Sequence, residues 1–248
     1  MLEYQPVIDV ETGAIGGTEA LLRWKDPIRG LVPPSEFVGV AEETGLIVPI
    51  GRIVLQEACR QGAQWLREFP AHRMFVNLSP RELAHPDIVR DVTMALTMSG
   101  LPASHVVLEV TETAMMHDID DARAKLLALK DIGVSIAIDD FGTGFSSLSY
   151  LRELPIDVLK IAKPIIDVIC ESKQDAAFVQ GIVELGHVVG LRVIAEGVER
   201  LEQAAQLREV GCDLAQGHYF AKSMDPARLL ETLRKSAEAR RLMSQLAV

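Results

Sequence analysis

Soft metal ligands are scarce in this chain. Among 248 residues there are three cysteines and six histidines. Cys59, Cys170 and Cys212 are scattered, odd in number and without a Cys-x-x-Cys pair, which argues against a disulfide framework or a zinc ribbon. They read as reduced, mostly buried thiols. No His-Glu-x-x-His spacing occurs, so any metal is expected to be a hard, oxygen-liganded ion. Long hydrophobic runs are missing too. No stretch reaches the length of a membrane span, and the opening MLEYQPVIDV has no signal-peptide pattern. The expected location is the cytoplasm, either free or as the cytoplasmic part of a membrane-anchored protein. Positive charge is short: 25 Lys and Arg stand against 35 Asp and Glu, a net charge of −10. That excludes nucleic acid held by a general basic field, so a phosphate ligand would need local help from a metal, an arginine or a lysine. There is no linker, low-complexity tract or repeat by identity. With 48% hydrophobic and 24% charged residues, the chain is expected to form one large α/β domain over 1–248.

What is present centres on 134–151, VSIAIDDFGTGFSSLSYL. The apolar, β-branched run Val134–Ile138 predicts a buried strand that ends in two adjacent carboxylates, Asp139 and Asp140. Gly142 and Gly144 turn the chain, and Ser146 and Ser147 are placed to cap a following helix through about Glu153. Two motifs are spelled here without their context. Asp140-Phe141-Gly142 lacks the His-Arg-Asp loop of a kinase, and Gly142-Thr143-Gly144 lacks the third glycine of a dinucleotide fold.

Before this stretch, Tyr4–Val10 and Ile15–Trp24 read as a hairpin, 26–34 as a loop, and Ser35 as the cap of a helix ending at Gly45. Helices are expected over Val48–Phe69, Asp87–Ser99, Asp120–Ile132, Asp175–Val189 and Leu201–Val210, with a C-terminal helix opened by Asp225-Pro226. Strands are expected at Arg73–Leu78, Val106–Val110, Val158–Ile161, Arg192–Ala195 and Asp213–Gly217. Such alternation predicts parallel strands with crossover helices, and a (β/α)8 barrel with an irregular first strand is favoured over a doubly wound sheet. In a barrel the C-terminal strand ends share one mouth. Asn77, Glu109, Asp139, Asp140, Lys160, Glu196 and Gln216 fall at such ends, and Glu19 projects from an early strand. Gathered carboxylates repel, and a pair of Mg²⁺ or Mn²⁺ ions with Asp139 shared between them would offset the repulsion. Lys160 could orient a water, and Arg23 could bind a phosphate or stack on a base. The residues alone point to metal-assisted hydrolysis of a phosphate ester.

The motifs EALLRW (Glu19–Trp24) behind YQPVID, FVNLSP, LEVTET, IDDFGTGFSSLSYL, LPIDVLKI, AEGVE and QG with FAK resemble, in order and over nearly the whole chain, the EAL-domain family. These are bacterial phosphodiesterases that open cyclic di-GMP to linear pGpG. The resemblance implies a modified TIM barrel whose first strand is antiparallel to the rest. It implies that Glu19, Asn77, Glu109 and Asp139 hold one divalent cation, and Asp139, Asp140 and Glu196 a second. It further implies that Lys160 contacts the nucleophilic water and that Glu196 also acts as a general base. Glu112 would anchor the DDFGTG loop, and Glu199 and Gln216 match further polar site positions. Gln5 and Arg23 match residues that touch the dinucleotide. A homodimer through helices beside the DDFGTG loop is expected by the same likeness, as is an upstream sensory or GGDEF-type domain in a longer signalling protein.

Three positions depart from the family pattern: Ala162 stands where Asp usually follows Leu-Lys-Ile, His218 where Tyr follows Gln-Gly, and Ser223 where Pro follows Lys. The alternative to a working hydrolase is a non-catalytic cyclic-di-GMP receptor.

Overall fold

The computed structural model describes residues 1–115, 119–143 and 153–246. The expected cap at Ser146 and Ser147 and nearly all of the helix expected to run on from it through about Glu153 lie outside these residues. Eight strands close into a barrel in the order β1 (Leu2–Asp9), β10 (Leu214–Ala215), β9 (Arg192–Ala195), β8 (Val158–Ile161), β7 (Ser135–Phe141), β6 (Val106–Thr111), β5 (Arg73–Leu78), β2 (Ile15–Leu22). Strand β1 is antiparallel to both of its neighbours, and every other neighbouring pair is parallel. This is the barrel with an inverted first strand that the family resemblance implies, and the irregular first strand expected from the pattern alone. The antiparallel start follows from the tight hairpin between β1 and β2, closed by Asp9 accepting from Thr12 N and Oγ1 at 2.8 and 2.7 Å.

Helices α2 (Ile47–Leu66), α4 (Ile88–Ser99), α6 (Ile119–Ile132), α8 (Lys173–Val188) and α9 (Leu201–Glu209) wrap the outside. Their apolar stripes and the outward faces of the strands make one continuous core, in which Trp65, Leu83, Leu126, Leu129 and Leu159 are almost wholly buried. Each such side chain contributes about 1.5–3 kcal/mol. A second, smaller cluster fills the barrel itself: Val7, Phe75, Val107, Ala137, Val158, Ile194 and Leu214. Left-handed glycines end helices as expected, with φ of 77° at Gly45 and 70° at Gly100. Asp225 Oδ1 accepts from Ala227 N and Arg228 N at 3.0 Å, capping α10 (Pro226–Leu246).

Several boundaries differ from the sequence reading. Strand β2 stops at Leu22, and the expected loop contains a small hairpin, β3 (Trp24–Asp26) with β4 (Gly30–Val32). Trp24 meets Phe37 edge-on at 5.7 Å, which draws this hairpin onto α1 (Pro34–Thr44). Ser35 is not a cap: α1 opens at Pro34, whose missing N–H suits a first helical position. Three short helices, α3 (Pro80–Ala84), α5 (Glu112–Met115) and α7 (Lys163–Asp167), start within two residues of a barrel strand and are too short to show a 3.6-residue period. Among the described residues no helix is long and apolar enough to cross a membrane.

Candidate active site

The site is a second tier of side chains above the barrel's apolar filling. Alternate residues of a strand share a face, so two residues beyond each interior apolar group the chain again points inward. Phe75 leads to Asn77, Val107 to Glu109, Ala137 to Asp139, Val158 to Lys160, Ile194 to Glu196 and Leu214 to Gln216. On antiparallel β1 the step runs backwards, from Val7 to Gln5, which pairs with Glu19. Register sets Asn77 level with Glu109, whereas Glu109 pairs with Ala137 and Lys160 with Ile194, so the tier is staggered around the barrel.

Lys160 is the centre of this tier and is 1% exposed. Its Nζ lies 2.6 Å from Glu196 Oε1, 2.7 Å from Glu109 Oε1, 3.2 Å from Asp139 Oδ1 and 3.8 Å from Glu19 Oε2. Burial works against its charge, but the surrounding carboxylates outweigh that and hold its pKa well above the ordinary lysine value. The acids are raised as well, which for them disfavours the charged form. Burial, with Glu19 adding to it, pushes Glu109 well above the carboxylate range, and burial raises Glu196 to about 8 despite Lys160. Burial and the neighbouring Asp139 raise Asp140. A buried carboxylate with too little compensating charge holds its proton.

Asp140 breaks the alternation. A regular strand would turn it away from Asp139, but its backbone is left-handed, with φ of 55°, and the β7–β8 register shifts between Ile138 and Phe141. One carboxylate oxygen each of Asp139, Asp140 and Glu196 then lie within 4.8 Å of one another. Neither oxygen of Glu109 accepts a well-formed hydrogen bond, and Gln216 Oε1 is buried without one. Asn77 Nδ2 donates to Glu19 Oε1 at 2.6 Å, leaving its amide oxygen as an acceptor. Such a set of oxygen donors, several of them unsatisfied, fits hard divalent cations.

Two concavities flank the tier and share Glu19. One, of about 370 Å³, is lined by Arg23, Asn77, Glu82 and the apolar Ile50 and Val54. The other, of about 320 Å³, is lined by Gln5, Glu196, Gln216 and His218. Gln216 Nε2 donates to Glu19 Oε2 at 2.6 Å and Gln5 Oε1 at 3.1 Å, and Gln5 Nε2 to the Ala221 carbonyl at 2.9 Å. Arg23 bonds Glu3, which does not stand out in the sequence, and Ser223, one of the three departures from the family pattern.

Not every expected residue joins the tier. Glu199 sits on the rim of the second concavity, half exposed and 3.2 Å from Lys163 Nζ. Glu112 opens α5 directly after β6 and is partly buried. Ala162 is fully buried at the start of α7 and offers no side-chain cap, yet Lys160 is fully surrounded without an acid there. Glu82 was not anticipated, although Ser79-x-x-Glu82 carries the spacing of a helix capping box, which it forms.

Comparison with known proteins follows the same lines. The EAL domain model matches residues 1–223. The chain is 44% identical over 234 residues to the bifunctional diguanylate cyclase/cyclic di-GMP phosphodiesterase MucR of Pseudomonas aeruginosa, covering 94% of this chain and 34% of MucR. It is 42% identical over 234 residues to the cyclic di-GMP phosphodiesterase NbdA of the same organism, covering 94% of this chain and 30% of NbdA. It thus spans about a third of the length of these curated relatives. The solved structure of the PaMucR phosphodiesterase in complex with c-di-GMP superposes with a TM-score of 0.88 at 44% identity, over 92% of this chain and 93% of that one. With its motifs in order, its first strand inverted and its polar tier at the barrel mouth, the chain belongs to the EAL-domain family.

Proposed function

We propose that this domain hydrolyses cyclic di-GMP to linear 5′-pGpG. The observation that carries the reading is the buried Lys160, placed between Glu196 and Glu109 on a floor of carboxylates and amides. The two concavities that flank the tier and share Glu19 suit a ligand with two nucleoside halves joined by phosphodiesters. Complexes of relatives with that dinucleotide support it.

Glu19, Asn77, Glu109 and Asp139 would hold one Mg²⁺ or Mn²⁺, and Asp139, Asp140 and Glu196 a second. When bound, such ions lower the pKa of water and offset charge on phosphoryl oxygens. The chain's own groups do the rest. Lys160, a donor only, orients the attacking water and opposes charge developing in the transition state. Glu196 accepts a proton from the water as the water oxygen attacks phosphorus, the bond from phosphorus to the 3′ oxygen breaks, and that oxygen leaves as a hydroxyl by taking up a proton from solvent. Gln5, Arg23 and Gln216 hold the dinucleotide, Glu112 positions the DDFGTG loop, and Glu199 shapes the rim with Lys163. The cation Lys160 is also what makes a tier of acids tolerable to an anionic substrate.

The test is to incubate the domain with cyclic di-GMP and Mg²⁺ or Mn²⁺, beside a chelator control, and to resolve the nucleotides chromatographically. Metal-dependent pGpG, abolished in Glu19→Gln and Asp139→Asn, is expected. Binding with no product would leave a receptor, and neither binding nor product would refute the reading. The homodimer and the upstream sensory or GGDEF-type domain belong to the same proposal, and sedimentation of the domain with and without Mg²⁺ tests the first.

A further inference from the structure

We propose that Glu3 and Ser223 are positioning residues that hold the Arg23 guanidinium in place to receive the dinucleotide, an inference resting on the function proposed above. A guanidinium has five N–H groups. Arg23 Nε donates to Glu3 Oε2 at 2.8 Å, Nη1 to the Leu22 carbonyl at 3.0 Å and Nη2 to Ser223 Oγ at 2.9 Å. Ser223 Oγ in turn donates to Glu3 Oε2 at 2.7 Å, so the three side chains close a ring. The hydroxyl's roles are thereby settled: its proton goes to Glu3 and a lone pair to Arg23. Two N–H groups, one on Nη1 and one on Nη2, have no protein partner among the described residues. Arg23 lines the 370 Å³ concavity with Glu19 and Asn77. A pair of N–H groups on one rigid guanidinium suits bidentate recognition of a phosphate or base.

The backbone pins all three members. Met1 and Arg23 exchange N–H···O bonds of 2.9 and 3.0 Å, and Tyr4 and Met224 exchange bonds of 2.8 and 3.0 Å, which sets Ser223 beside Glu3. Only 15% of the Arg23 side chain and 23% of the Glu3 side chain are exposed, so the pair is shielded from free exchange with water. Glu3 offsets the arginine's charge. What Arg23 offers is therefore an ordered pair of donors rather than net attraction, and order is what the ring supplies. A side chain fixed before binding has less rotamer freedom to lose.

The experiment compares wild type with Ser223→Ala, Ser223→Thr, Glu3→Ala, Arg23→Ala and the double variant Arg23→Ala/Ser223→Ala in steady-state hydrolysis of cyclic di-GMP. Calorimetry of the same dinucleotide in chelator accompanies it. Loss of either ring member is expected to raise KM and Kd about fivefold, the scale of ordering one long side chain, with a smaller fall in kcat. Ser223→Thr, which keeps the hydroxyl, should restore binding. Once Arg23 is gone, removing Ser223 should change nothing further. The Arg23 Nε–H resonance, slowly exchanging in wild type, should exchange rapidly in Ser223→Ala. Wild-type KM in Ser223→Ala, or additive effects of Arg23→Ala and Ser223→Ala, would refute the ring's role while leaving the hydrolase reading intact. A wild-type protein that neither binds nor cleaves the dinucleotide would end both.

Discussion

The carboxylate of Glu82 fills the space that Gly51 leaves by having no side chain, and a Cβ on Gly51 would overlap Glu82 Oε1. Gly51 lies inside α2, where glycine costs about 1 kcal/mol relative to alanine, so the position needs a reason. Glu82 is that reason. It is buried, and its Oε2 accepts from Ser79 N at 3.0 Å and Ser79 Oγ at 2.6 Å, two residues past Asn77. Gly51→Ala, stabilising by helix propensity alone, is expected instead to cost about 1–3 kcal/mol through overpacking. Urea unfolding measures this, and in a Glu82→Ala background the same change should cease to destabilise. A more stable Gly51→Ala single variant would contradict the packing argument.

Lys160→Met removes the cation from a tier of buried carboxylates. Breaking one side of a buried ion pair costs about 3–5 kcal/mol because the remaining charge is left uncompensated. In chelator, Lys160→Met should unfold at much lower denaturant than wild type. Added Mg²⁺ should recover more stability in the variant than in wild type, since a bound cation stabilises the folded state and here also relieves the excess negative charge. Equal midpoints in chelator would mean that the acids are neutralised without Lys160. Turnover is expected to fall by more than about a hundredfold, the lower end of what removing one electrostatic stabiliser of the transition state costs.

His72 makes the fold sensitive to acid. It is buried under Trp65 at the base of the barrel, its Nε2 3.0 Å from Thr18 Oγ1, and burial, aided by His105, pushes its pKa down to about 4. The unfolded value is about 6.5. Between those values the unfolded chain takes up a proton that the folded chain refuses. Stability from this group is complete above about pH 6.5 and is lost as pH falls, amounting to about 3 kcal/mol at pH 4. Glu82, raised by burial to about 7, acts in the opposite sense and loses stability as pH rises from its unfolded value. The comparison must therefore be differential: His72→Gln should show a flatter pH dependence of unfolding free energy than wild type between pH 7 and pH 4.5. Parallel curves would show that His72 is protonated in the fold.

Gly217 lets two site segments touch. A Cβ there would run into the Val198 backbone, which is held by Val198 N donating to the Gln216 carbonyl at 3.0 Å and Tyr219 N to the Val198 carbonyl at 2.9 Å. Gly217→Ala must part the loops that carry Glu196 and Gln216. A stability loss of about 1–3 kcal/mol by overpacking is expected, with a raised KM for cyclic di-GMP. A fully active Gly217→Ala variant would show that the two loops separate without consequence.

The sequence by itself determined which polar residues lie at or near the strand ends. Asn77, Glu109, Asp139, Lys160, Glu196 and Gln216 each lie at or near the end of an apolar run, and strand–helix alternation predicts that those ends converge. It did not show that each lies two residues beyond a barrel-filling apolar group, because a period-2 pattern does not say which face is inside. The hairpin β3–β4 and the one-turn helices α5 and α7 were invisible because three to five residues cannot display a period, and α3 was marked only by its Ser79-x-x-Glu82 capping spacing. Tertiary structure alone decided three further points. The left-handed backbone at Asp140 turned a side chain that strand alternation would have sent away. Gly51 and Glu82, on different elements, became two halves of one fit. Glu3, Arg23 and Ser223 met across 220 residues of chain because barrel closure brings the segment after the last strand beside the first. Local sequence sets which groups a strand end carries; only the closure of the sheet sets which of them share a wall.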